Sequence, residues 1–166
     1  MAAIPNVSGP VGLRAMCFKD GHDESFESPA YPVRWERSGL LTAACQRGCA
    51  EIPGDACRCG IYAALFPWLA RKYLRGQGSA LFLVEGCGKL RIPTVHLRGF
   101  RAEQGYVIAA VVEGNPERLT GRDLTACYGA QYFGAPVITL ADAVSLIKAQ
   151  WESLGHTFPP DTGGFS

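Results

Sequence analysis

The chain reads as an α+β fold: a mostly antiparallel, barrel-like sheet of five to seven strands, a cysteine loop on a crossover, a short helix after that loop and a C-terminal helix. Three observations carry this expectation. Short runs rich in β-branched and aromatic residues, separated by Gly, Asn and Asp turns, recur as far as Glu113. Leu140, Ala143, Val144, Ile147 and Trp151 then fall at helical spacing behind Thr139, a residue suited to cap a helix. Four of the seven cysteines are crowded into residues 45–59, CQRGCAEIPGDACRC.

Taken in order, residues 1–10 hold two prolines and no pattern, which predicts a flexible lead-in to a single domain over 11–155. Residues 11–19 place Leu13, Ala15 and Cys17 on one side and Arg14 and Met16 on the other, a strand. Asp20-Gly21-His22-Asp23 is turn chemistry that closes a hairpin onto residues 24–28. Residues 31–37 (YPVRWER) read as a further strand, and residues 40–44 lead into the cysteine loop. After it, residues 61–63 are extended. Pro67 then opens a helix over 67–74, because proline is tolerated at the first helical position and not inside. Residues 80–84 form an apolar strand. A turn is expected at Gly86-Cys87-Gly88, a strand over 89–97 weakened by Pro93, a wide turn over 99–103 and the strongest strand over 106–113. Asn115-Pro116 turns into a helix over 119–132, Thr139 caps one over 140–154, and residues 156–166 read as a disordered tail.

Hydrophobic content of 48% and a charged fraction of 19% belong to an ordinary globular domain of this length. No apolar stretch is long enough to span a bilayer, so no membrane association is expected. The start shows no cationic segment followed by an apolar one. With an odd number of cysteines, that points to the reducing cytoplasm and to thiols rather than a disulfide framework. Net charge is only +1, yet residues 34–101 hold eleven Lys and Arg against four Asp and Glu, while the flanks hold five against eleven. Such a basic middle suits a phosphate-binding surface, or acidic flanks packed against it.

The spacing of Cys45, Cys49, Cys57 and Cys59 suits a four-thiolate metal site, because Zn²⁺ accepts tetrahedral sulfur ligation without geometric preference of its own. Gly48, Pro53 and Gly54 let the chain double back, and Gly60 lets it leave. Arg47 and Arg58 are placed to offset the excess negative charge of such a site. With all four positions filled by protein, the zinc would be structural. Disulfides, buried free thiols and an iron–sulfur cluster are the alternatives.

Cys57-Arg58-Cys59-Gly60-Ile61-Tyr62-Ala63, the later Gly99-Phe100-Arg101-Ala102-Glu103, and Phe133-Gly134-Ala135-Pro136-Val137 occur in that order. Together they resemble a set of small, uncharacterised actinobacterial proteins over roughly residues 12 to 140. The resemblance maps that pattern's upstream Cys and Cys or His onto Cys45 and Cys49, and it implies a metal knot and a compact domain with no known activity. The chain departs from that pattern in residues 79–97, where paired tryptophans are lacking.

Three function classes follow. Nucleic-acid binding would use Arg47, Arg58, Arg71, Lys72, Arg75, Lys89, Arg91, Arg98 and Arg101 on phosphates, with Trp35, Tyr62 and Phe100 for stacking. A protein-binding adaptor or regulator would need zinc only to stiffen its scaffold. An enzyme would need a nucleophile and a base. Cys87 with His96 is the one candidate pair, and it is the weakest of the three readings, so no catalytic residue is assigned.

Overall fold

A computed structural model describes residues 4–29, 33–55, 57–92, 98–115, 117–119 and 121–161. Its elements are β1 (Val11–Lys19), β2 (Ser25–Glu27), β3 (Leu40–Thr42), β4 (Ile61–Ala64), α1 (Pro67–Arg71), β5 (Ser79–Arg91), β6 (Gly99–Val112), α2 (Arg122–Phe133), β7 (Val137–Thr139) and α3 (Leu140–Ser153).

All seven strands join one mixed sheet. β5 is central, antiparallel to β1 on one edge and to β6 on the other, with Leu13↔Leu83 and Leu83↔Ala109 in register. The far edge of β6 is lined in succession by β4 (Ile61↔Ala102), β3 (Leu41↔Gly105) and β7, the last parallel at Val111↔Ile138. β1 pairs with β2 as the hairpin read from the sequence, and it meets β4 at one position, Leu13↔Ala64.

The barrel-like closure expected from the sequence is not what forms. A barrel would gather its apolar side chains in one interior, whereas this sheet buries both faces. Leu13, Leu81, Leu83, Ala109 and Val111 belong to one core, with α3 contributing Ala143, Ile147 and Trp151. Met16, Phe82, Val84, Val107 and Ala110 belong to a second core, with α2 contributing Ala126, Ala130 and Phe133. Because side chains alternate along a strand, consecutive apolar residues such as those at 81–84 must serve two faces. In the second core Phe26, Phe82 and Phe133 meet at ring-centroid separations of 5.4 to 5.7 Å, mostly tilted or edge-on.

Several local expectations change. Gly86-Cys87-Gly88 does not turn the chain. β5 runs through it, with a register irregularity between Cys87 and Leu90 opposite β6. Residues 99–103 are strand rather than turn, because β4 and β5 hold them from both edges. Residues 33–37 form no strand beyond a single bridge, Glu27↔Arg34, although Trp35 is fully buried. α1 begins at Pro67 as read, but ends at Arg71, with Ala70 its buried residue. Thr139 Oγ1 accepts a hydrogen bond from Asp142 N at 3.2 Å, which is the expected cap of α3.

Residues at both ends of the described chain touch the core. Ser8 and Gly9 donate their amides to Glu85, Gln150 donates to Gly9 O at 2.8 Å, and Phe158 packs on Phe66 at 5.5 Å. Expectations for Tyr31, Pro93, His96, Pro116 and residues 162–166 fall outside the described residues.

Candidate metal centre

The loop between β3 and β4 carries the four cysteines, and its sulfurs converge. Those of Cys45, Cys49, Cys57 and Cys59 all lie within 4.8 Å of one another, a set able to hold a metal ion. Cys45 Sγ is 3.4 Å from Cys49 Sγ and 3.7 Å from Cys57 Sγ. Two sulfurs bound at about 2.3 Å to one tetrahedral zinc lie roughly 3.8 Å apart, whereas disulfide sulfurs lie about 2.05 Å apart. The spacing is that of ligands around a common point, and all seven cysteines are free thiols.

The loop folds this way for local reasons. Gly54 has its amide 3.1 Å from Cys59 Sγ, a donor to the sulfur. A Cβ at Gly54 would stand 2.9 Å from Cys49 Sγ, so no larger residue fits beside the cluster. Gly60 leaves the loop at φ +108, a conformation side chains rarely adopt, wedged between Pro53 and Ala102 O. Hydrogen bonding with the backbone and thiol of Cys49 pulls the Cys45 thiol down to about 6. The contact with the Cys45 thiol, reinforced by burial and the neighbouring sulfurs, pushes Cys49 up to about 12.

The sheet grips this loop through cations. Arg101, on β6, donates from Nη1 to Cys57 O at 2.5 Å and to Cys59 O at 2.9 Å. Arg91, its register partner on β5, donates from Nε to Pro53 O at 3.0 Å and pairs with Asp55. Lys89 Nζ lies 2.8 Å from Glu51 Oε1. Residues Ile61-Tyr62-Ala63, just after Cys59 and Gly60, pair in β4 with Phe100-Arg101-Ala102 of β6.

The remaining sequence-picked cations are dispersed. Arg71 pairs with Glu113 at 2.6 Å. Arg75, beyond the end of α1, folds back to donate from Nη1 to Lys72 O and Leu74 O. Lys72 and Arg98 both lie over the Trp68 ring, at 5.0 and 5.3 Å. Arg47 and Arg58 are exposed and make no ion pair among the described residues. Of the aromatic residues picked for stacking, Trp35 and Phe100 are fully buried and Tyr62 is half-buried. Cys87 is half-buried, and burial together with Glu85 pushes its thiol up, opposite to what activates a nucleophile. What the sequence reading missed is the latch. Arg91 and Arg101 pair in register on adjacent strands, a spacing legible only once the strand over 99–112 is recognised.

No helix of the described residues is long and apolar enough to cross a membrane. Compared with family models, with curated proteins and with solved structures, the chain finds no match in any of the three.

Proposed function

We propose that this is a non-catalytic binding domain in which a structural zinc fixes the loop 45–59, and that the loop presents Arg47 and Arg58 to nucleic-acid phosphates. The all-sulfur donor set favours zinc in a closed, structural role, since a catalytic zinc keeps one position open. The observation that carries the nucleic-acid reading is the division among the loop's cations. Arg91 and Arg101 hold its backbone, while Arg47 and Arg58 stand exposed beside the sulfurs with no carboxylate partner among the described residues. Lys72 and Arg98, gathered on Trp68, add charge from the same basic middle of the chain.

Native mass spectrometry of protein purified without chelator should show one zinc per chain. Fluorescence anisotropy with a short single-stranded DNA should then show affinity falling with salt. The Arg47→Glu/Arg58→Glu pair should lower the slope of log affinity against log salt by about 1.4, as expected for two lost phosphate contacts. Protein that retains its zinc but ignores DNA at low ionic strength would remove this reading and leave the protein-binding adaptor in its place.

A further inference from the structure

A cleft of about 480 Å³ opens between β1, β4 and α1, on the flank of the metal loop. Its charged lining is three arginines, Arg14, Arg58 and Arg101, and no carboxylate lines it among the described residues. Each arginine comes from a different part of the fold: β1, the metal loop and β6.

Arg14 is the unusual member. Its Nη1 donates to Tyr62 O and its Nη2 to Ser28 Oγ, both at 2.6 Å, and its guanidinium lies 5.8 Å from the Trp35 ring centre. Every one of these partners is neutral, and Arg14 Nε is buried with no hydrogen-bond partner. Burial pulls this guanidinium down to about 10, against a smaller opposing effect of Tyr73. A cation removed from water without a counter-charge is costly, and an anion seated beside it would relieve that cost.

Arg58 and Arg101 keep donors that no contact uses among the described residues. Arg58 is exposed with no ion pair among the described residues. Arg101 uses only Nη1 on the loop carbonyls, which leaves the rest of its fork. Tyr62 lies half-buried in the lining, and burial pushes its phenol up to about 12, so it remains a hydroxyl donor. Between these polar groups the walls are apolar, formed by Leu13, Ala15, Ala64 and Ala70, with the 39% exposed Tyr73 also lining the cleft.

We propose that this cleft binds a phosphate monoester carried on a flat apolar body, its phosphate held by Arg14, Arg58 and Arg101 and its body lying against Tyr62 and Tyr73. Three guanidinium groups match a dianion with several acceptor oxygens better than a single carboxylate, because their charges sum on one side of the cleft and a phosphate offers more acceptors than a carboxylate. The volume and the apolar walls are those of a site for an organic ligand rather than a bare ion. Because Arg58 and the carbonyls that hold Arg101 belong to the metal loop, the metal also positions two of the three phosphate contacts.

Adenosine 5′-monophosphate serves as the probe in isothermal titration calorimetry of the zinc-loaded full chain. It should bind, with adenosine and inorganic phosphate each about tenfold weaker or worse. Arg58→Gln and Tyr73→Ala change exposed side chains and should each cost about tenfold, with zinc content and circular dichroism unchanged. No heat with the nucleotide at millimolar concentration would overturn the proposal, as would equal binding of inorganic phosphate or full affinity in both variants. The nucleic-acid reading fails separately, since Arg47→Glu should weaken the oligonucleotide alone and Tyr73→Ala the mononucleotide alone.

Discussion

The metal loop and the sheet beneath it are held together by different physics. The sheet is sealed by two apolar cores on opposite faces, built from side chains such as Phe82, Leu83, Ile147 and Trp151 that water does not reach. The loop has little such material. Pro53 and Gly54 are buried in it, but its shape comes from four converging sulfurs, cationic latches from β5 and β6, and glycines where nothing larger fits. Burial is diffuse and tolerant, whereas coordination is local and conditional on the ion. The two regions should therefore fail independently and under different insults.

The largest effect is expected in the sheet. Phe82→Ala removes a fully buried ring that touches Phe26 and Phe133, and should cost about 3 to 5 kcal/mol, enough to unfold a marginal domain; urea denaturation measures it. Metal removal should come next, and it breaks or sharpens the comparison most directly. A metal held a thousandfold above its dissociation constant contributes about 4 kcal/mol, so a strong chelator should lower the thermal midpoint by roughly 8 to 16 °C. Far-UV circular dichroism at room temperature should nevertheless stay near native, with hydrogen exchange rising only in residues 45–59 and β4. Global unfolding on chelation would show that the sheet depends on the ion, and the contrast would collapse. The smallest effects separate the latches. Arg101→Met leaves the Cys57 and Cys59 carbonyls without their donor and should speed zinc transfer to a chromogenic chelator. Lys89→Ala removes only an exposed ion pair and should leave that rate unchanged.

Much of this was legible in the sequence, for physical reasons that also explain the misses. The four-cysteine cluster, the strand over 11–19 and α3 with its Thr139 cap rest on local chemistry: cysteine spacing, alternation and helical periodicity. The closure of the sheet was not legible, because the apolar run at 81–84 does not say whether its two faces meet one core or two. Gly86-Cys87-Gly88 read as a turn because glycine permits one. Tertiary pairing with β6 decided otherwise. The same pairing turned Gly99-Phe100-Arg101 from a supposed turn into strand and aimed Arg101 at the metal loop rather than at solvent. The cleft was the least visible feature. Alternation put Arg14 with Met16 on one face of the strand, and nothing local announced that Tyr62 and Ser28 would enclose it.

The way β6 carries β4, β3 and β7 along a single edge has a consequence for biogenesis. Everything before residue 99, including the whole thiol-bearing loop, leaves the ribosome before the strand that will seat it exists. During that interval β3 has no ladder to join, β4 has only its single contact with β1, and the carbonyls of Cys57 and Cys59 lack their Arg101 donor. Docking of the loop onto β6 therefore has to wait for β6, and a chain stalled short of it would carry a cysteine cluster without its full set of contacts.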